Sequence, residues 1–346
     1  MLEIKYIIFF SVLIFINLLF VIKYNSIAKI YKLYDIPNSP RKFHKLPVPL
    51  IGGLIVLSNI ALFIGFEFFF INKVYLPGTY YLDNLFLTSN KSIASFLFCL
   101  IFLFLLGYFD DKYDLDPFKK LIVLSIIFYF FLKIDNTLII NVLNLTFISY
   151  SIKIPEIGFI FSLILILFFL NSINMYDGIN GQVGLLSLNI CFYFFLNNFM
   201  PMFALSLFIS LIFFLILNLR GKIFIGDSGC YILSFVFIYF FLRYYSLGLI
   251  KLDQVFLIFF LPIVDTLRLF TTRIFSTGKP WKADSNHIHH LISKKYSLKF
   301  ALLSQYIFSL SLIVFITFTE INNLILIFLA SIFYFFCLVT LKKNNK

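Results

Sequence analysis

Ser92–Leu106 reads SIASFLFCLIFLFLL and runs straight into Gly107-Tyr108-Phe109-Asp110-Asp111-Lys112. An almost unbroken apolar stretch that ends in two adjacent carboxylates is a membrane crossing that stops at something polar. Side-by-side aspartates at a bilayer exit are opposed by desolvation and by mutual repulsion, unless they face water, a cation or a substrate. The same pattern of apolar run and polar stop recurs along the chain. Of the 346 residues, 61% are hydrophobic, 51 are Phe and only 13% are charged, so too little polar sequence exists to cover a soluble globule.

Runs long enough to cross a bilayer (about 20 residues) fall near 4–22, 50–71, 92–108, 118–134, 157–173, 183–198, 200–219, 230–243, 254–270, 300–318 and 323–341. The expectation is an all-α polytopic membrane protein of about eleven transmembrane helices in a single domain, 1–346. One stretch departs from helix. Around 136–154, Leu145, Phe147, Ile152 and Ile154 partly alternate with Thr146, Ser149, Ser151 and Lys153, which predicts a short external β-hairpin. The first run has no small-residue cleavage site after it and reads as a span. Cys99, Cys191, Cys230 and Cys337 lie in or beside apolar runs without paired spacing and read as small core residues.

Charge gives orientation. Of the 28 Lys and Arg, only Lys5, Lys73, Lys91, Lys133, Lys153, Arg243 and Lys251 fall on one side. The rest mark the cytoplasmic side, which predicts an N-terminus outside and a C-terminus in the cytoplasm. The net charge of +12 then faces anionic lipid or an anionic substrate. No basic and aromatic stripe lies on a soluble domain, so nucleic acid is not expected as a partner. His44, His287, His289 and His290 share that face with Asp35, Asp110, Asp111, Asp114, Asp116, Asp177, Asp227, Asp265 and Asp284. The chemistry should therefore be cytoplasmic.

Five segments carry it. In Asp35–Gly53 four prolines forbid a continuous helix, Arg41, Lys42, His44 and Lys45 offer donors to phosphate, and Gly52-Gly53 permits close helix packing. Asp110-Asp111-Lys112-Tyr113-Asp114-Leu115-Asp116-Pro117-Phe118-Lys119-Lys120 supplies hard oxygen ligands for Mg²⁺ or Mn²⁺ and lysines for phosphate, while Asp116-Pro117 reads as a helix cap. Asn171, Asn174, Asp177, Gly178, Asn180 and Gly181 space amides and a carboxylate for a metal or a nucleobase edge. Gly226-Asp227-Ser228-Gly229 opens the next span and offers amides to phosphate. Its likeness to the surroundings of a nucleophilic serine lacks a paired histidine nearby. In Lys279–His290, His287 and His290 would share a helical face. Zinc and pyrophosphate both suit those imidazoles, the latter with Lys279, Lys282 and Arg273. Asp265 and Arg268, three apart, read as an internal ion pair.

In order, each at a span boundary, the five segments resemble the polyprenyl-phosphate N-acetylhexosamine-1-phosphate transferase family, the MraY/WecA type. The resemblance implies a phosphoglycosyltransferase. A polyprenyl phosphate, of the undecaprenyl kind, attacks the β-phosphorus of a UDP-N-acetylhexosamine and gives polyprenyl-diphospho-sugar and UMP with Mg²⁺. This would be the first membrane step of a cell-envelope glycan. It implies Asp227 and Asn174 at the metal, and Asp110 and Asp111 at acceptor and metal. It places Lys120 on phosphate and Asn180 on uracil, with Asn171, Asp177, Arg41 and His44 lining the substrate. The His287, His289 and His290 loop would close over the sugar-pyrophosphate. A bacterial inner membrane and a homodimer are further expectations of the resemblance. Asp110 acts there either as a base or by positioning metal and water, and a covalent aspartyl-phosphate is compatible. Ile288 interrupts the three consecutive histidines of the muramoyl-pentapeptide branch, and Asn180 stands where that branch tends to have aspartate. Pro262–Arg268 and Asp284–His290 look more like the WecA branch, which transfers GlcNAc-1-phosphate, although Ser285 stands where that branch commonly has Arg. The alternative class for the same composition is a multi-span transporter or channel. It fits less well, because the polar groups gather at one face and no repeated halves are visible.

Overall fold

The computed structural model describes residues 2–37, 44, 46–71, 90–278 and 286–343. Every one of the eleven apolar runs is helical in it. They form α1 (Leu2–Tyr31), α2 (Gly52–Phe66), α3 (Asn90–Tyr113), α4 (Pro117–Ile134), α5 (Gly158–Tyr176), α6 (Gln182–Leu196), α7 (Pro201–Asn218), α8 (Gly226–Ser246), the pair α9 (Leu252–Ile258) and α10 (Phe260–Thr277), α12 (Leu298–Phe318) and α13 (Asn323–Lys343). A short α11 (Ile288–Lys295) precedes α12. Among the described residues, eight helices are individually long and apolar enough to span, nine if α9 and α10 count as one. Of the expected eleven, the run at 230–243, short in the sequence, is a full span in α8, whereas those at 118–134 and 183–198 fall short. α4 carries Lys119, Lys120 and Lys133, and α6 has only 15 residues.

Helices are the form lipid requires, since every backbone polar group must be satisfied within the segment. The long ones carry apolar residues on every face, except α10, which holds Asp265, Arg268 and Arg273. α1 is 22% buried along its most apolar window and turns Ile4, Ile8, Phe15 and Ile22 outward. α8 is 94% buried along its own.

The chain divides into two compact units, each discontinuous in sequence: Met1–Ile127 with Ile190–Phe235, and Phe128–Asn189 with Val236–Lys346. In the first, α1, α2 and α7 pack together. Asn17 and Asn59 exchange side-chain hydrogen bonds of 2.6 and 3.2 Å between α1 and α2, and each amide also donates to its own helix. Such pairing satisfies amides that lipid cannot. The short strands β1 (Tyr34–Asp35) and β2 (Val48–Pro49) pair antiparallel. Beyond β2 the backbone runs beside the approach to α8, with Phe224 N on Pro49 O, Gly52 N on Phe224 O and Gly53 N on Ile225 O.

In the second unit α5 packs on α10, α11 packs on α12 and α13, and α12 and α13 each pack on α9. α9 and α10 meet at an 84° bend at Phe259. Pro262 lies in the first turn of α10, where its missing N–H breaks no helical bond. The expected hairpin is present as β3 (Val142–Leu143) and β4 (Ile152–Lys153). Polar anchors hold it down. Tyr245 Oη accepts from Asn144 N and donates to Val142 O, Thr146 binds Asp253 through N and Oγ1, and Asn323 Nδ2 reaches the same carboxylate at 2.8 Å. Arg243 clamps Asp135 at 2.5 Å and Thr137 at 2.8 Å.

Candidate active site

The two adjacent aspartates do different work. Asp111 caps a helix 116 residues away: its Oδ1 accepts from Asp227 N at 2.7 Å, and its Oδ2 from Ser228 N at 3.2 Å and Ser228 Oγ at 3.1 Å. The amides at the start of α8 were expected to meet phosphate, and Asp111 occupies those of Asp227 and Ser228. A carboxylate there also complements the positive end of the helix. Glycines make the approach possible. A Cβ on Gly107 would lie 2.2 Å from Ser228 Cα, and one on Gly53 would lie 2.4 Å from Ser228 Oγ.

Asp110 turns the other way. Its Oδ1 accepts from Leu115 N at 3.1 Å and its Oδ2 lies 2.7 Å from Lys120 Nζ. The same ammonium is 3.8 Å from Asp227 Oδ2. Lys120 comes into place because Asp116 caps α4 as expected, accepting from Phe118 N and Lys119 N. Asp110 is almost fully enclosed, whereas the Asp227 side chain is 30% exposed, so Asp227 is the carboxylate within reach of a ligand. Three acids and one lysine form a cluster short of positive charge, with Lys120 Nζ as a stand-in cation between two of them. Hard carboxylate oxygens in this balance fit Mg²⁺ or Mn²⁺.

His44, expected on phosphate, has both ring nitrogens engaged, with Asp35 Oδ2 at 2.9 Å and Leu46 O at 2.8 Å. Arg41, Lys42, Lys45, Lys279 and Lys282 lie outside the described residues.

The remaining candidates belong to the second unit. Asn171 and Asn174 lie half-buried on one face of α5, and Asn171 Nδ2 donates to Leu167 O. Asp177 ends that helix, and both it and Asn180 are exposed on the turn into α6. The histidine segment differs from its expected shape. α11 begins at Ile288 with His287 as its N-cap, so the parallel neighbour of His287 is His289 (ring centroids 5.2 Å, interplanar angle 14°), while His290 meets both edge-on. The Asp265–Arg268 ion pair is present at 2.7 Å. Asp265 also takes His287 Nδ1 at 2.9 Å and Tyr334 Oη at 2.6 Å. Among the described residues, Asp265, His287 and His289 are the acid and imidazole side chains gathered closely enough to share an ion, with ligand atoms within 4.8 Å. The guanidinium already on Asp265 argues against a zinc ion there. Burial, then the neighbouring His290 and His287, hold the His289 imidazole well below its ordinary pKa range, in the neutral form.

The family model described as glycosyl transferase family 4 matches residues 93–245. The undecaprenyl-phosphate alpha-N-acetylglucosaminyl 1-phosphate transferase of Escherichia coli O157:H7 is 24% identical over 289 residues, covering 80% of this chain and 73% of that protein. The protein of the same name from Thermotoga maritima is 28% identical over 271 residues, covering 78% and 75%. That from Yersinia pestis is 25% identical over 278 residues, covering 76% and 70%. Over residues 93–245 the chain is similar to glycosyl transferase family 4. It is a phosphoglycosyltransferase and a multi-pass membrane protein, and the transporter reading of the same spans is set aside. The family match takes in Asp110, Asp111, Lys120, Asn171, Asn174, Asp177, Asn180 and Asp227, while the histidine segment lies beyond it.

Sequence reasoning missed Gln182 and Tyr334. Gln182 follows Gly181 directly and is 2% exposed, a polar residue opening an apolar run. Tyr334 sits in the Phe-rich α13, and its hydroxyl is the only sign of its role.

Proposed function

We propose that this enzyme transfers an N-acetylhexosamine-1-phosphate, GlcNAc-1-phosphate first among them, from the UDP-sugar to undecaprenyl or a related polyprenyl phosphate, with Mg²⁺ or Mn²⁺. The observation that carries the reading is the Asp110–Lys120–Asp227 cluster, in which a reachable carboxylate and an ammonium lie side by side. The relatives' names supply the substrate class.

An oxygen of the lipid phosphate forms a bond to the β-phosphorus while the bond from that phosphorus to the bridging oxygen breaks, and UMP leaves with that oxygen. Both reactants are polyanions, so their approach requires fixed positive charge. A bound divalent ion neutralises phosphate oxygens and polarises the phosphorus. Asp227 is its proposed ligand in the first unit. The role of Asn174 as a ligand rests on the family resemblance. Lys120 supplies the protein's own cation, held upright by Asp110. The acceptor phosphate, with a second pKa near ~6, is largely dianionic at neutral pH, so Asp110 need only orient Lys120. In the second unit the exposed Asp177 and Asn180 and the histidine segment are proposed to take the sugar nucleotide.

The test is purified protein with undecaprenyl phosphate and a panel of UDP-sugars, scored by lipid-linked product and UMP. UDP-GlcNAc should be used, EDTA should stop turnover, and Mg²⁺ should restore it. Turnover that survives EDTA, or a panel without product, would refute the reading. The inner-membrane placement, with N-terminus outside and C-terminus cytoplasmic, is part of the proposal. Labelling of single cysteines at either end of the chain in intact cells checks it.

A further inference from the structure

The turn between α5 and α6 contains a hydrogen-bond chain whose polarity is fixed by backbone groups. Gln182 Oε1 accepts from Gly178 N at 3.3 Å and Ile179 N at 3.2 Å. Backbone N–H groups only donate, so this end of the amide is the oxygen. Its Nε2 therefore donates, to Gln305 Oε1 at 3.0 Å and to His289 Nδ1 at 3.1 Å. Gln305 is fixed in the same way, because its own Nε2 donates to Ala301 O at 2.9 Å. Both amides agree, and neither can flip without setting donor against donor.

The consequence falls on His289. A neutral imidazole carries one N–H, and with Nδ1 accepting, that proton sits on Nε2. Nε2 is buried, has no hydrogen-bond partner among the described residues and faces Gly178, where a Cβ would lie 1.8 Å from it. Folded proteins leave few buried donors unpaired, and each such group asks for an explanation. The neighbouring His287 has a different partner: its Nδ1 donates to the Asp265 carboxylate at 2.9 Å.

We infer that Gln182 is a positioning residue that locks His289 as its Nε2–H tautomer, so that the ring offers a donor to an oxygen of the sugar nucleotide beside the Asp177–Gly181 turn. The inference rests on the proposed function for the ligand, and on the hydrogen-bond chain for the tautomer. Gln182 touches no reacting atom. It sets which face of a neutral ring can donate.

Gln182→Glu separates this role from simple bracing of the turn. A carboxylate can still accept from Gly178 N and Ile179 N, but it cannot donate to Nδ1, so the proton of His289 moves to Nδ1 or the ring becomes doubly protonated. The experiment uses the full chain in nanodiscs with ¹⁵N-labelled histidine. There are four histidines, and the His289 signal is identified by its loss in His289→Gln. Wild-type protein should show His289 as the Nε2–H tautomer, and Gln182→Glu should abolish that signature. The KM for UDP-GlcNAc should rise about tenfold in Gln182→Glu, with the KM for undecaprenyl phosphate unchanged. A wild-type His289 protonated on Nδ1 would overturn the inference even if the variant failed to fold. So would a Gln182→Glu enzyme with the wild-type KM. Wild-type protein without activity on any UDP-sugar would instead refute the proposed function, and the tautomer would still be read from the spectrum.

Discussion

The carboxylates of the two units face opposite electrostatic conditions. Asp110, Asp111 and Asp227 have one lysine among them, Lys120, which pairs with Asp110 and Asp227, and Asp227 stays partly exposed. Around Asp265 a single acid is bound by Arg268, His287 and Tyr334, with its side chain only 2% exposed. The first arrangement is short of positive charge and open to a cation. The second is complete and serves as a base plate for the histidines. Function and stability should therefore separate between them.

The largest effect expected is on turnover. Asp227→Ala should lower UMP release by at least about 10³-fold. Its thermal midpoint in detergent should not fall, because one of three mutually repelling acids is gone. Normal turnover, or a clear loss of stability, would erase the contrast. Asp265→Ala tests the other side. It strands Arg268 and should cost about 3–5 kcal/mol of stability, visible as early aggregation in a thermal ramp. Asp111→Ala lies between the two kinds. It uncovers the start of α8 and should cost about 2 kcal/mol, with activity falling as Asp227 loses its anchorage. Gly107→Ala should mimic it, since the added methyl would meet Ser228 Cα. The smallest change is Tyr334→Phe, which removes one of several bonds to Asp265 and should cost about 1 kcal/mol with KM values unchanged.

What was legible in the sequence was local. The eleven helical runs, the hairpin around 136–154, the Asp116 cap and the Asp265–Arg268 pair all depend on residues near one another in the chain, and each is present. The illegible parts join distant segments. No spacing rule shows that Asp111 reaches Ser228, that Gln182 holds His289, or that Tyr334 supports Asp265. His287 and His290 would share a face only if the helix ran through His287; instead its Nδ1 is tied to Asp265 and its backbone caps α11, which starts at Ile288. The bend at Phe259 carried no proline or glycine at the break itself.

The cap that Asp111 provides has a consequence in time. The acceptor is made first and the helix it closes 116 residues later. At a synthesis rate of about 5–20 residues per second, that interval is roughly 6–23 s. Throughout it a half-inserted nascent chain carries the Asp111 carboxyl at the lipid edge without its partners, so a ribosome stalled before Gly226 would leave a molecule with its acidic end unsealed.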